Sequence, residues 1–237
     1  MKIEIIASGS TGNCYKISNE NTALIIECGI SPANIRKSLK FQLHEIDACF
    51  ITHEHLDHAK AVVYLMKSGI DCYATQGTID ALQIKGHRTI PLKKNKDAYY
   101  PVLINDMYVI PFATVHDALE PVGFLIIDGS TDEVLAFITD TAYVEYKFPK
   151  LDYLMCECNY VKSTLDKNVL EGRLNINLRN RIVRNHMGLE TVLELLKSND
   201  LRHLKAVYVL HLSDSNSDEQ LIVEEIKRAT GVPVYVG

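Results

Sequence analysis

The sequence contains no apolar run near the roughly 20 residues that span a bilayer, which excludes a membrane-spanning helix. Its opening, Met1-Lys2-Ile3-Glu4-Ile5-Ile6, lacks the long apolar stretch and small-residue cleavage site of a signal peptide and reads as a first strand. The cytoplasm is therefore the expected compartment. No repeat and no Pro/Gly/Ser-rich linker interrupts the 237 residues, so residues 1–237 are expected to form one domain, long enough to bury a core without disulfides. Positive charge is not in excess: 25 Lys and Arg stand against 30 Asp and Glu, a net charge of −5. That argues against a protein that coats nucleic acid non-specifically, but leaves room for a local site. The six cysteines are scattered; Cys14, Cys28, Cys49 and Cys72 lie in or beside apolar runs, where free Cys acts as a small hydrophobe. Cys156-Glu157-Cys158 is read as an alternating strand, since zinc-finger pairs are more widely spaced.

Strands are predicted at Lys2–Ala7, Cys14–Ser18, Ala23–Glu27, Ile46–Thr52, Asp71–Ala74 and Met107–Thr114. Further strands follow at Val122–Asp128, Val134–Thr139, Asp152–Cys158, Ala206–Leu210 and Val234–Val236. Ser31-Pro32 opens a helix through about Leu39. Helical spacing marks Ala59–Lys67, Leu189–Lys197 and Glu219–Thr230. Strands cluster in each half with helices between them. That pattern predicts an α+β, four-layer αββα sandwich: two mixed sheets with helices outside.

Directly after the apolar run Ile46–Thr52 comes Thr52-His53-Glu54-His55-Leu56-Asp57-His58-Ala59. Four potential ligands fall within six residues. A strand end followed by a tight loop can aim such side chains into one cleft, and imidazole with carboxylate suits zinc and similar ions. A solvated histidine-rich loop is the bland alternative, and the density of the cluster argues against it. Glu54 and Leu56 are read as bystanders.

This motif resembles the signature of the metallo-β-lactamase superfamily, whose fold is the αββα sandwich. The superfamily pattern continues with a His, an Asp and a final His at strand ends, and His116, Asp140 and His211 occupy those places. The resemblance implies one metal held by His53, His55, His116 and Asp140. It implies a second held by Asp57, His58, His211 and the bridging Asp140, with a hydroxide between the two ions as nucleophile. Two divalent ions are thus expected: zinc, or manganese or iron. A bridging Asp fits the phosphodiesterase and nuclease branches. Within the superfamily the chain resembles the YycJ (WalJ)-type hydrolases, a group linked to exonuclease action on DNA. The matching segments are Ala7–Asn13, Thr52–His58, His116–Pro121, Thr139–Tyr143, Glu157-Cys158-Asn159, and His211-Leu212-Ser213 with Asn216. Two departures stand out. Arg184–Glu190 keeps only its histidine, His186, and Tyr160 replaces a histidine.

The resemblance makes His186 a proton donor or phosphate contact, a role that suits imidazole; a helix-capping or surface histidine is the alternative. Asp57 is expected to orient the nucleophile as well as to bind metal. Arg173, Arg179, Arg181 and Arg184 precede or flank His186 and form a candidate track for a nucleic-acid backbone, because guanidinium forks match phosphate oxygens. Lys85, Arg88, Lys93, Lys94 and Lys96 read as an exposed loop, and His44, His87 and His203 as surface residues. Ser10 and Asn13, in the turn-rich Ser8–Asn13 loop, are candidate donors at the cleft. The expected function is a dinuclear phosphodiesterase or nuclease acting on DNA or RNA; the alternative is a hydrolase of a small ester, lactone or cyclic phosphodiester.

Overall fold

Alternating and buried apolar residues build a six-stranded sheet from the first ninety residues, in a computed structural model that describes residues 1–96 and 98–237. The chain resolves into two compact units, residues 1–113 with 118–133 and residues 114–117 with 134–237.

In the first unit β1 (Lys2–Ala7), β2 (Cys14–Ser18) and β3 (Ala23–Ile26) run antiparallel. After α1 (Pro32–Ser38), β4 (Ala48–Phe50) pairs parallel to β3. All three residues of β4 are buried, as expected for a parallel strand covered on both faces. Next come α2 (Leu56–Ala59), α3 (Val62–Lys67), β5 (Asp71–Ala74), α4 (Gln76–Leu82) and β6 (Thr89–Pro91). Strands β5 and β6 extend the parallel half, giving the order β1-β2-β3-β4-β5-β6. Ser31 caps α1, accepting from the Asn34 amide at 3.2 Å, with Pro32 in the first turn. Ile25, Ile35, Cys49, Ile51, Leu65 and Cys72 form part of one buried cluster, and burying each large aliphatic side chain stabilises the fold by roughly 1.5–3 kcal/mol. Strands β7 (Val102–Ile104), β8 (Met107–Ala113) and β9 (Val122–Asp128) make an antiparallel meander in the same unit.

The second unit is built on a parallel array. In chain order it contains β10 (Glu133–Ile138), β11 (Tyr153–Glu157), α5 (Lys162–Leu170), α6 (Ile176–Asn185), α7 (Leu189–Ser198), β12 (Ala206–Leu210), α8 (Glu219–Thr230) and β13 (Val234–Val236). Strands β10, β11, β12 and β13 pair parallel in that order. Helix α8 shows both expected end signals: Asp218 accepts from the Leu221 amide at 3.0 Å, and Gly231 closes the helix at φ 71°, a conformation glycine adopts without steric penalty.

One local expectation is corrected. The helix predicted over Ala59–Lys67 starts inside the histidine motif and is broken, because the Ala61 amide bonds to the Cys28 carbonyl at 2.8 Å. Arg179, Arg181 and Arg184 lie on α6, a helix that buries no residue, and Arg173 precedes it. Among the described residues no helix is long and apolar enough to cross a membrane.

Candidate metal centre

In the first unit, β4 delivers the chain into Thr52–His58, and His55 stands at the N-cap of α2. His53 and His58 are buried and Asp57 is partly exposed. His53 Nε2 lies 3.0 Å from His55 Nδ1, and the His53 and His58 rings are 4.1 Å apart between centroids. The short helix thus gathers the three imidazoles of the motif. His58 Nε2 is 3.5 Å from Asp57 Oδ2.

Two residues given no ligand role hold these imidazoles. Glu27, fully buried, accepts a short hydrogen bond from Thr52 Oγ1, and its Oε1 lies 3.3 Å from His58 Nδ1. Thr52 Oγ1 in turn lies 2.9 Å from His53 Nδ1. Burial pushes the Glu27 carboxyl above its ordinary range, while His58 and Thr52 pull it back. Asn13 is the second. Its amide nitrogen donates to the Asp57 carbonyl at 3.2 Å and lies 3.3 Å from His58 Nε2, and its backbone N–H donates to the same carbonyl at 2.7 Å. The turn-rich loop therefore clamps the start of α2 through Asn13, whereas Ser10 is exposed. Gly29 completes the clamp: a Cβ there would stand 1.6 Å from the Asp57 carbonyl oxygen.

In the second unit the parallel array explains the site. Parallel neighbours end at the same sheet edge, and sites form there. Glu157 closes β11 opposite Leu210, His211 follows β12, and Asp140 lies two residues beyond β10. Ligand atoms of Asp140, Glu157, His186 and His211 all lie within 4.8 Å of one another. His211 Nδ1 is 2.9 Å from Asp140 Oδ1 and 3.8 Å from Glu157 Oε2. Asp140 and His211 sit at φ 46° and 53°, left-handed values that cost a non-glycine residue about 1–3 kcal/mol each and are common at functional sites.

His116 is held from two sides. Its Nδ1 donates to the Asn185 carbonyl at 3.0 Å, which directs Nε2 toward Asp140 Oδ2, 3.6 Å away. The Val115 amide donates to Thr141 Oγ1 at 2.9 Å, fixing the loop. His186 ends α6, and its Nδ1 lies 2.9 Å from Glu157 Oε2. The other Glu157 oxygen accepts from the Thr141 amide at 2.6 Å.

The electrostatics of this cluster favour a cation. Burial alone would hold the His211 imidazole down, but Asp140 and Glu157 reverse that and push it up to about 10. Burial likewise opposes the charge on Glu157, yet His186 and His211 keep its carboxyl below the usual range. His186 is raised against its own desolvation by Glu157, whereas burial keeps His116 lowered. Buried carboxylates converging with imidazoles at one edge are a donor set that fits divalent ions.

A family model for the Metallo-beta-lactamase superfamily matches residues 7–138. The chain belongs to that superfamily. Exodeoxyribonuclease WalJ of Streptococcus pneumoniae serotype 2 (strain D39) is 26% identical over 233 residues, covering 93% of this chain and 84% of that protein. Exodeoxyribonuclease YycJ of Bacillus anthracis is 25% identical over 236 residues, covering 93% and 86%. The crystal structure of the metallo-beta-lactamase fold protein YhfI from Bacillus subtilis superposes with a TM-score of 0.74 at 17% identity, covering 99% of this chain and 95% of that one. The expected α+β class therefore stands: this is the metallo-β-lactamase fold, two mixed sheets flanked by helices. As a member of the superfamily the chain is a metal-dependent hydrolase that uses divalent ions.

The remaining candidates divide. Glu54 accepts from the Leu119 amide at 2.8 Å, and Leu56 is exposed. The Arg179 fork is engaged by Asp166 at 2.8 and 3.0 Å; Arg181 reaches Asp117 at 3.2 Å and remains exposed, as does Arg184. Arg88 pairs with Asp71, and Lys94 with Glu120. His44, His87 and His203 are all exposed. Glu157 carries a sequence signal of its own, a carboxylate ending the apolar run Leu154-Met155-Cys156.

Proposed function

We propose that this hydrolase is a dinuclear phosphodiesterase that cleaves nucleic-acid strands. His53, His55, His116 and Asp140 would hold one ion, and Asp57, His58, His211 and Asp140 the other, the ligand order of the superfamily. Zinc is the proposed metal, with manganese or iron as substitutes. When bound, such ions polarise a phosphoryl oxygen and lower the pKa of water.

The chain's own residues supply the rest. The observation that carries the reading is the His186–Glu157 pair, 2.9 Å apart, set among Asp140 and His211. With Nδ1 committed to a buried carboxylate, His186 keeps its proton and offers Nε2 to the departing oxygen. Cleavage of a phosphodiester needs such a donor, because an alkoxide leaves poorly unprotonated. Asp57, partly exposed beside His58, orients the attacking water. Arg181 and Arg184, exposed on the helix that ends at His186, would bind phosphates flanking the scissile one. The names of the curated relatives point to DNA as the strand.

The test uses the purified chain loaded with zinc or manganese. Labelled single- and double-stranded DNA, RNA and a chromogenic phosphodiester are offered in parallel. Strand cleavage that stops on chelation and returns with metal is expected. Strand affinity should fall with salt, and the slope should flatten in Arg181→Ala/Arg184→Ala. Hydrolysis of the small substrate with no strand affinity at any salt concentration would replace this reading with the small ester, lactone or cyclic phosphodiester.

A further inference from the structure

A cavity of about 310 Å³ opens between α5 and the loop that follows His211, lined by Lys167, Asn168, Arg173, Leu174, Ser215 and Asn216 among others. Its lining carries two cations and no carboxylate. The guanidinium of Arg173 is fixed by a buried amide: Nε donates to Asn168 Oδ1 at 2.9 Å. Asn168 is itself locked, its Nδ2 donating to the Ser215 carbonyl at 2.7 Å and to Asn216 Oδ1 at 3.0 Å. Arg173 is therefore oriented before any ligand arrives, which lowers the cost of binding. Its terminal nitrogen pairs with Glu171, but both side chains are largely exposed, 60% and 41%. Such a pair is readily exchanged for a phosphate group, whose oxygens accept two parallel hydrogen bonds.

The volume lies at the small end of ligand pockets. It suits one nucleotide, and Leu174 supplies an apolar wall for a base or sugar. The same network leads back to the metal centre. Asn216 Nδ2 donates to Ser213 Oγ at 3.1 Å, the Ser213 amide to the Asn159 carbonyl at 2.9 Å, and Asn159 Nδ2 to the His211 carbonyl at 3.0 Å.

We infer that this cavity is a nucleotide subsite, with a phosphate held by Lys167 and Arg173 and the nucleoside against Leu174. The choice of a nucleotide over another phosphorylated compound rests on the phosphodiesterase reading. Two sources share that chemistry: a nucleotide of the bound strand and a free mononucleotide.

Calorimetry on the metal-loaded chain with thymidine 5′-monophosphate and with thymidine tests the site. Anisotropy of a fluorescein-labelled single-stranded DNA oligonucleotide separates the sources. In Lys167→Ala/Arg173→Ala, affinity for the monophosphate should fall at least tenfold, and it should hold in the control Arg228→Ala, whose side chain pairs with Glu225 on α8. Thymidine should bind too weakly to fit in any variant. A parallel loss of oligonucleotide affinity identifies the strand as the source; a loss confined to the monophosphate identifies the free nucleotide. Unchanged affinity for both ligands in the double variant overturns the assignment. Oligonucleotide cleavage in the same samples is read separately. Cleavage with both affinities unchanged refutes the subsite and leaves the nuclease reading intact. No cleavage, with the monophosphate affinity lost in the double variant, does the reverse.

Discussion

Replacing Glu157 by Gln changes one buried atom and tests the proposed proton donor directly. In the parent, one oxygen of Glu157 accepts from the Thr141 amide at 2.6 Å and the other faces His186 Nδ1 at 2.9 Å. Glutamine can keep only one of these as an acceptor. If its oxygen stays with Thr141, its NH₂ group faces His186 and forces Nδ1 to accept, which disfavours the imidazolium. If it turns round, the Thr141 amide loses its acceptor, at about 1–3 kcal/mol of stability for a buried donor. The bond from a charged imidazole to a carboxylate is worth about 1.5–3 kcal/mol. Lost from the reacting state, that slows turnover about 10- to 150-fold, at 1.36 kcal/mol per decade. The sign with pH follows from the raised His186 value. The stabilising charge on His186 is fully present below its ordinary titration range and is lost as pH rises through its folded value. The alkaline limb of the rate profile should therefore move to lower pH in Glu157→Gln, with metal content unchanged. His186→Ala should lose more, about 10²–10⁴ in rate. Stopped-flow hydrolysis of a chromogenic phosphodiester across pH, with elemental analysis of each sample, measures both. An alkaline limb superimposable on the parent's would refute the role given to the pair.

Asp140→Ala should empty both metal sites, whereas His116→Ala and His211→Ala should each weaken mainly one; elemental analysis after dialysis against limiting zinc distinguishes them, and equal, negligible losses would show the assignment to be mistaken. Gly29→Ala drives a Cβ into the Asp57 carbonyl, so it should lower the melting temperature and metal content together, and an unchanged protein would show that the loop simply shifts. Asp128 is held down to about 2 because bonds from Ser130 and Asn19 outweigh its desolvation. Its stabilising effect is thus present above 3.8, its ordinary value, and lost as pH falls toward 2. Asp128→Asn should flatten the acid limb of a denaturation profile over that window.

Much of the fold was legible because long periodic segments announce themselves. Cys14–Ser18, Ala206–Leu210 and Glu219–Thr230 have the predicted bounds. The elements that escaped had little signal. Strands β6 and β7 are three residues long, too short for an alternation to register, and α6 displays Ile176 and Leu178 to solvent, which blurs its apolar face. In the candidate centre, the dense Thr52–His58 run stands out by its spacing alone. His116, Asp140 and His211 needed the superfamily pattern, because a lone residue after a strand carries no mark of its purpose. Asn13 stood out as a candidate donor and Glu157 as part of a matching segment, but the contacts these two and Glu27 make did not. Each acts through a neighbour distant in sequence, and one-dimensional spacing holds no record of which strand ends meet.

The parallel array of β10, β11 and β12 also sets a timetable. Asp140, Glu157 and His211 come together only when all three strands lie in register, and a slip of one residue would turn Glu157 to the opposite face. Pairings so distant along the chain close late and slowly. During synthesis the centre therefore cannot be complete until β12 has emerged and docked. A half-made chain therefore presents no assembled edge of Asp140, Glu157 and His211.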